Sequence, residues 1–526
     1  MMSNSKRIPS SILVSDYPEV RNYKVSAKNN EIIAQCDFEP GDVILMLPSL
    51  VAGPGRDKVP VCLGCLKSNG QVKYIPNPES FFGFDMQTVS LSECPACSWP
   101  ICSKECQESD NHKGVCQVLS KSGFKWEGDM STKTNKLDFI APLKYLLKSK
   151  ENSKLKDLLK VDTKNVERRK RNDTKYGSGS DAQVIQIIKD KCKLEEFSET
   201  DIESAMGLFE LHSSLLDCGA VSIHEDTPFI THSCSPNSYY IALSNNSVLY
   251  RASCPIKAGE PITSSRGYID QCNLFRRRTL LKDYLLDCQC PRCSDGSEFG
   301  TGYGGIACPK CSTSAFPGAG VFNSMDSRNE DADWICENCK SKKSGKECIA
   351  IMEEMKTKME QAQADYKVGT VEFYESILEG EGIWKQCPPK SQFIAEAMKG
   401  ISYIYQYHFQ YYQPSVDELR LKARYCQEIL SLYSKIFPGF SYNRAMIDYE
   451  NIVANQAMIN EMKNEGYDQS DVDVVIYKVM DWCKEISEIF VLEEDSSMHE
   501  AVKKMNSMAV EAKEEQKKRV LISDLY

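Results

Sequence analysis

The sequence predicts a multidomain α+β protein with an all-helical C-terminal half, and three observations support this fold class. Strand-length apolar runs bounded by turn residues occur within residues 24–56 and 227–265. Paired cysteines crowd residues 58–118 and 286–340, and apolar residues recur at helical spacing after about residue 346. At roughly 100–200 residues per domain, the chain of 526 residues corresponds to about three domains.

The overall composition excludes several classes of function. The chain has 64 basic and 74 acidic side chains and a net charge of −10. This charge argues against direct nucleic-acid binding, because phosphates attract a positive surface. No apolar run approaches the ~18 residues that span a bilayer, and the first residues lack the apolar segment of a secretory signal. We therefore expect a protein without a membrane partner that is cytoplasmic, nuclear or both.

The first strands are predicted from two short apolar runs. Ile32 to Ala34 and Val43 to Leu47 have strand length, and the turn signal Glu39-Pro40-Gly41-Asp42 separates them. Further along the chain, the apolar runs 239–243 and 248–250 flank a short polar turn. This second pattern predicts a β-hairpin.

Helices are predicted in two parts of the chain. Between residues 134 and 220, leucine and isoleucine recur at three- and four-residue steps, beginning with Leu137, Ile140 and Leu143. After residue 346, stretches such as 416–435 and 471–493 have the same spacing. The short connections between them predict an antiparallel helical array. It lacks a repeat of fixed length and is therefore only similar to tetratricopeptide (TPR) repeats.

Residues 58–118 carry eight soft metal ligands in four ordered pairs: Cys62 and Cys65, Cys94 and Cys97, Cys102 and Cys106, and His112 and Cys116. Two tetrahedral zinc sites need eight such ligands, and closed sites of this kind are structural rather than catalytic. The order of the pairs favours an interleaved arrangement, in which the first and third pairs hold one zinc and the second and fourth pairs the other. Reduced thiols without metal are the alternative, which the ordered spacing disfavours.

A second cysteine-rich segment adds two candidate zinc sites. Cys288, Cys290 and Cys293 supply three ligands, so a fourth must come from elsewhere, and Cys234 is a candidate. A complete set of two CxxC pairs follows, like the two knuckles of a zinc ribbon: Cys308, Cys311, Cys336 and Cys339. Together with the first segment, these ligands predict four zinc ions per chain.

Two of these segments resemble known modules. The first resembles the MYND zinc finger, including Trp99 and the closing residues 112–116, His-Lys-Gly-Val-Cys. The segment Thr231-His232-Ser233-Cys234-Ser235-Pro236-Asn237, with the three later cysteines, resembles the SET methyltransferase core and post-SET site of the SET-and-MYND (SMYD) family. The likeness covers about residues 20–295, and in that family the cysteine after His-Ser completes the zinc site. The ribbon resembles the extra ribbon of arthropod branches of the family.

The resemblance implies an order of domains along the chain. The first part of the SET domain is expected at 1–57, the MYND finger at 58–118, a helical SET insertion at 119–220 and the rest of the SET core at 221–285. The post-SET zinc site and ribbon are expected at 286–345, and the TPR-like helical domain at 346–526.

The same resemblance implies an S-adenosylmethionine pocket, with departures from the family's motifs. The cofactor-binding positions it implies are Asn29, Asn30, Glu31, His212, Thr231, His232 and Leu286. Residues 29–31 stand at the family's Gly-Arg-Gly turn, and Thr231 replaces the asparagine before His232. His212 stands where an asparagine is common, and Leu286 where an aromatic residue is usual.

The position of the family's catalytic tyrosine differs as well. Counted back from Cys288 without a gap, Arg266 falls at that position. Tyr268, two residues later, is the candidate catalytic residue if the loop is longer. The combined departures indicate impaired cofactor binding.

Two functions from different classes are expected. The first is an S-adenosylmethionine-dependent lysine methyltransferase that acts on a histone or another protein and functions as a monomer. The second is a non-catalytic, zinc-rich scaffold that binds peptides through the MYND finger and the helical array. A thiol-based enzyme is a distant third, because the remaining cysteines have no histidine at a recognisable spacing.

Overall fold

The structure is a computed structural model. It describes residues 25–28, 31–56, 58–76, 84–162, 180–216, 219–243, 245–311, 320–364, 371–407, 414–464, 466–468, 472, 474–475 and 507. The predicted residues Asn29 and Asn30 lie outside the described residues, as does almost all of the predicted helix 471–493.

The β-rich part begins with an antiparallel hairpin of β1 (Val25–Lys28) and β2 (Glu31–Ala34). β3 (Val43–Leu47) belongs to a separate three-stranded sheet. Four more strands follow: β4 (Val51–Pro54), β5 (Val72–Pro76), β6 (Phe84–Thr88) and β7 (Ser92–Glu93). The strands predicted from the first two apolar runs are therefore confirmed. The side chains of β2 alternate between half-buried and buried, as expected for a strand packed on one face, whereas β3 has two consecutive buried residues, Ile44 and Leu45.

The last strand of the finger is β8 (Pro100–Ile101), which pairs with β7. The helices that follow, up to the second β-rich part, are α1 (Lys104–Gln107), α2 (Asp110–Ser122), α3 (Ile140–Ser149), α4 (Ser153–Asp162), α5 (Ser180–Gln186) and α6 (Glu199–His212). A single π-helical turn, Ile187–Lys191, continues α5. The helices predicted between residues 134 and 220 are therefore present within the described part of that stretch.

The finger and these helices share one hydrophobic core. Trp99 is 1% exposed and packs edge-on against Phe124, Trp126 and Phe139, with ring centroids 5.3–5.4 Å apart. Apolar side chains of the helices surround the cysteines of the finger.

The second β-rich part contributes β9 (Ser214–Leu215), β10 (Ala220–Ile223), β11 (Thr231–His232), β12 (Ser238–Ala242), β13 (Val248–Ala252) and β14 (Thr263–Ser264). The strands β12 and β13 form the predicted hairpin, and β13 also pairs with β3. β10 lies between β4 and β9.

A parallel pair joins β11 to β14, with Thr231 opposite Thr263 and His232 opposite Ser264. Asn237 fixes this crossing: its side-chain Nδ2 donates to the carbonyl of Pro261 at 2.9 Å, and its Oδ1 accepts the N–H of Thr263 at 2.7 Å. The crossing brings together residues that are about thirty positions apart in sequence, as short parallel pairs require a long connection.

The post-SET region contains α7 (Asn273–Tyr284) and α8 (Pro291–Ser294), followed by a four-stranded sheet of β15 (Ile306–Ala307), β16 (Val321–Ser324), β17 (Trp334–Cys336) and β18 (Lys342–Lys343). The C-terminal helices are α9 (Gly345–Ala364), α10 (Val371–Leu378), α11 (Gln392–Tyr407), α12 (Val416–Ile436) and α13 (Tyr442–Asn464). Ser415 begins α12 with a capping box to Glu418. The helical C-terminal region is thus confirmed, and the ribbon shares a core with it through Trp334 and Trp384.

None of the helices in the described part of the chain combines the length and the apolar character that a membrane crossing needs.

Candidate functional site

The first and third ligand pairs of the finger come together. Cys62, Cys65, Cys102 and Cys106 place their Sγ atoms within 4.8 Å of one another. The Sγ of Cys102 lies 3.7 Å from that of Cys65 and 3.5 Å from that of Cys106. A tetrahedron with Zn–S bonds of about 2.3 Å has S–S edges of about 3.8 Å, so this cluster has the size of a zinc site.

The second and fourth pairs form another cluster of Cys94, Cys97, His112 and Cys116. The buried His112 turns its Nε2 toward the cluster, 3.5 Å from the Sγ of Cys97. Its Nδ1 lies 2.8 Å from the carbonyl of Gln107, to which it donates. This bond fixes the ring so that Nε2 is free to coordinate, as is usual for metal-binding histidines. The structure therefore has the interleaved grouping that the order of the pairs favours.

A buried lysine connects the finger to the SET strands. The Nζ of Lys144, on α3, donates to the carbonyls of Ala52 and Leu63, both at 3.2 Å, and to Oδ1 of Asn111 at 3.0 Å. Burial, with a smaller contribution from the neighbouring Lys148, lowers the pKa of Lys144 to about 7. Sequence reasoning missed this residue, because its three partners come from distant segments.

Cys234 is the fourth member of the post-SET cluster. Its Sγ lies 3.8 Å from that of Cys288 and 3.5 Å from that of Cys293, and Cys290 completes the set. The candidate ligand named from the sequence is therefore in place. The side chains of Tyr268, Tyr284 and Leu286 pack against this cluster.

A buried ion network surrounds the post-SET cluster. The carboxylate Oε2 of Glu298 accepts from Arg276 at 2.9 Å and from Arg292 at 2.8 Å, and all three side chains are fully buried. Arg276 also lies 3.6 Å from the Sγ of Cys293, and Arg292 donates to the carbonyl of Cys234. Two guanidinium groups and one carboxylate leave a positive charge beside four thiols, which favours their thiolate form. Sequence reasoning missed Arg292 and Glu298, because their pairing depends on distant contacts.

The fourth cluster lies in the ribbon. The Sγ atoms of Cys308 and Cys339 are 3.7 Å apart, as are those of Cys311 and Cys336. Gly320 lies against them: a Cβ on this residue would meet the sulfurs of Cys311 and Cys336 at 2.9 Å. The ribbon backbone therefore needs glycine at this position.

Two of the predicted cofactor-binding residues contact each other. The hydroxyl of Thr231 donates to Oε1 of Glu31 at 3.2 Å, across 200 positions of sequence. The sequence treated these two departures as separate, whereas the structure pairs them. His212, at the end of α6, has a buried Nδ1 without a hydrogen-bond partner among the described residues, and burial lowers its pKa to about 3.

His232 connects this pocket to the post-SET cluster. Its Nδ1 accepts the backbone N–H of Arg266 at 3.0 Å, and its Nε2 lies 3.3 Å from the Sγ of Cys234. The position of the loop after β14 therefore depends on a ring that contacts a candidate metal ligand.

The two candidates for the catalytic position have different surroundings. Tyr268 has a positive φ of 61° and donates its hydroxyl to Oδ2 of Asp283 at 2.6 Å. Burial and this bond to a carboxylate raise the pKa of Tyr268, so the phenol stays protonated. Arg266 is half-buried beside Tyr240, Tyr250 and Tyr284, and burial lowers the pKa of its guanidinium.

The geometry thus defines a SET-type site: a parallel strand crossing that holds the His-Ser-Cys segment, next to a four-cysteine cluster. The SET domain family model matches residues 30–265. This range contains Glu31, His212, Thr231 and His232.

Curated relatives agree with this result. Histone-lysine N-methyltransferase ASHR1 of Arabidopsis thaliana is 23% identical over 384 residues, which are 66% of this chain and 71% of that protein. SET domain-containing protein SmydA-8, isoform A, of Drosophila melanogaster is 20% identical over 322 residues, which are 59% of this chain and 62% of that protein. A SET and MYND domain-containing protein of Dictyostelium discoideum is 32% identical over 81 residues, 15% of this chain and 21% of that protein. The chain thus contains a SET-domain match and is similar to SMYD-like SET-domain proteins.

Proposed function

We propose that this protein is an S-adenosylmethionine-dependent protein-lysine N-methyltransferase with four structural zinc ions. The observation that carries this proposal is the SET match over residues 30–265, which encloses the crossing where Glu31, Thr231 and His232 meet. The relative ASHR1 is named a histone-lysine N-methyltransferase, which supports the reaction class.

The donor sets support zinc in all four clusters. Fifteen cysteines and His112 form four groups of four soft ligands, each within 4.8 Å. Thiolate and imidazole donors at tetrahedral spacing are the preference of zinc. Each set is complete without water, so these ions would stabilise the fold rather than react.

The pocket residues fit the cofactor in part. S-adenosylmethionine would supply a methyl group on a positively charged sulfonium. The carboxylate of Glu31 can balance positive charge, and the unpartnered Nδ1 of His212 can accept or donate a hydrogen bond to a ligand. Arg266 opposes a cationic ligand, and this repulsion supports the expectation of weak cofactor binding.

The substrate proposed is a lysine side chain of a protein, taken up by a monomer, with peptide partners on the MYND finger. The amine must be neutral to accept a methyl group, and a nearby guanidinium favours its neutral form by disfavouring a second positive charge. Arg266 would therefore assist deprotonation of the amine while weakening cofactor binding.

Binding of S-adenosylmethionine to the zinc-loaded full chain tests the proposal. We expect saturable binding in calorimetry and transfer of labelled methyl groups to mixed protein substrates. A His232→Ala variant should lose both, and Arg328→Gln, on a surface ion pair with Asp287, should retain both. The absence of binding and transfer in a fully zinc-loaded wild-type protein would contradict the enzyme.

One observation favours the second candidate, a non-catalytic peptide-binding scaffold. The phenol of Tyr268 is bonded to Asp283, and Arg266 occupies the other candidate catalytic position. A protein that holds four zincs and binds peptides, yet binds no S-adenosylmethionine, would support this function.

A further inference from the structure

Residues 266–272 carry both candidates for the catalytic position, and their backbone is unusual. Gly267 and Tyr268 have positive φ values of 104° and 61°. Residues other than glycine rarely adopt this conformation, and it persists where the surrounding structure imposes it. Contacts from other parts of the chain are therefore needed to hold this segment in place.

The post-SET region contacts the segment through three consecutive carbonyl groups. The carbonyl of Ile269 accepts from Arg292 at 2.5 Å, and the carbonyl of Asp270 accepts from the hydroxyl of Tyr303 at 2.5 Å. The carbonyl of Gln271 also accepts from Arg292, at 3.1 Å. The side chains of Arg292 and Tyr303 are buried, so these donors have fixed positions.

The helix α11 contacts the same segment through two side chains. Oε1 of the buried Gln392 accepts the N–H of Cys272 at 2.6 Å, and Nζ of Lys399 donates to Oδ2 of Asp270 at 3.4 Å. The N–H of Gln392 donates to the carbonyl of Tyr303 at 3.0 Å, so α11 also contacts the residue that binds the Asp270 carbonyl. The C-terminal helices are thus attached to the segment that carries the candidate catalytic positions.

We propose that Gln392 and Lys399 are positioning residues for methyl transfer, an inference that rests on the proposed function. Both act through residues 270–272, to which they bond, and not on the methyl group. The SET match ends at residue 265, so the segment and both positioning residues lie beyond it. Placement matters greatly in such a reaction, because a displacement of about 1 Å can cost about a hundredfold in rate.

Hydrogen exchange in the zinc-loaded full chain tests the positioning without requiring activity. We expect the peptide that contains residues 266–272 to exchange roughly tenfold faster in Gln392→Met and in Lys399→Met, because each variant loses one bond to the segment. Lys399→Arg keeps the charge and should keep the protection. Lys435→Met, which replaces an exposed lysine near the end of α12, is the matched control. Unchanged exchange in both methionine variants would overturn the proposal.

Kinetics then separates positioning from a general structural role. At saturating S-adenosylmethionine, we expect Gln392→Met and Lys399→Met to lower the rate of methyl transfer roughly ten- to a hundredfold while the Kd of the cofactor changes less than about twofold. Lys399→Arg should restore most of the rate. If Gln392→Met fails to fold, Lys399→Met still decides, because Lys399 is half-buried. Equal losses of rate and cofactor affinity, lost zinc, or the same slowing in Lys435→Met would contradict a positioning role.

A double variant tests whether Lys399 acts through Asp270. Asp270→Asn removes the same ion pair from the other side, so its combination with Lys399→Met should slow methyl transfer no more than either change alone. Additive losses would show that Lys399 acts elsewhere. A wild-type chain that neither binds S-adenosylmethionine nor transfers methyl groups would contradict the proposed function, whereas unchanged exchange in the variants would contradict the positioning, so the two failures are distinct.

Discussion

Glu298 is the residue on which the buried charges of the post-SET region depend. Its carboxylate bonds two fully buried guanidinium groups, and its Oε1 accepts the N–H of Asn273 at 2.8 Å. A buried ion network adds little net stability compared with apolar residues, but loss of one member leaves an uncompensated charge. The network is therefore sensitive to single substitutions.

We predict that Glu298→Gln destabilises the protein by about 3–5 kcal/mol, because Arg276 and Arg292 lose their counterion in a site without solvent. Differential scanning calorimetry of the zinc-loaded chain measures the effect. The matched control is Glu330→Gln, which breaks a surface pair with Arg278 and should change stability by less than about 1 kcal/mol. Similar losses in both variants would show that burial of Glu298 does not matter.

Cys234 offers a second prediction at the same scale. Cys234→Ser should lower the zinc content by one ion per chain, because it removes the fourth ligand of the post-SET cluster. Cys254→Ser is the control, since this half-buried cysteine belongs to none of the four clusters among the described residues. Elemental analysis counts the zinc, and equal loss from both variants would contradict the grouping.

At the residue scale, the sequence predicted ligands better than it predicted the pocket. Ligand pairs such as Cys62 and Cys65 are visible because zinc geometry restricts their spacing. The contact between Thr231 and Glu31 has no such local restriction, since it depends on how distant strands are placed. The same reason hides Glu298 as the partner of two arginines.

At the scale of elements, short strands and helices followed from apolar spacing, while their pairing did not. The hairpin of β12 and β13 could be predicted because a polar turn joins two adjacent apolar runs. The pairing of β13 with β3 and of β4 with β10 joins strands about 170–200 residues apart, which no local pattern indicates. The finger and helical insertion separate these strands in sequence.

The ribbon provides a prediction for an element. Gly320→Ala should cost the protein one zinc, because the added Cβ would lie 2.7 Å from the Cβ of Cys311 and 2.9 Å from two sulfurs. Gly114→Ala is the control: this residue lies on α2 between two ligands, and an added Cβ has open space. The control should keep all its zinc and gain about 0.5–1 kcal/mol of stability from helix propensity. Unchanged zinc content in Gly320→Ala would contradict the close packing of the ribbon.

At the scale of the whole molecule, the metal clusters are parts of larger hydrophobic cores. The finger shares a core with α3 and α6, and the ribbon shares one with the C-terminal helices. The resemblance implies the order of these regions, and the structure adds the cores that they share. Loss of metal should therefore disturb neighbouring helices as well as the cysteine loops.

The last prediction follows from this sharing. Elemental analysis should give four zincs per chain, because sixteen ligands form four complete sets. Binding at such sites contributes roughly 10 kcal/mol or more each to folding, so a chelator should unfold the chain in steps.

We expect the finger to respond first, since it holds two clusters within one segment. Trp99 and Trp126 report on that step through their fluorescence, because both lie in the core that the finger shares with the helices. The chain has five tryptophans, and Trp126→Phe retains an aromatic ring while removing one of them, so the part of the fluorescence change that it abolishes belongs to Trp126. Two zincs or fewer in the purified protein, or a chelator that releases zinc without changing the tryptophan signal, would contradict a finger built into the core.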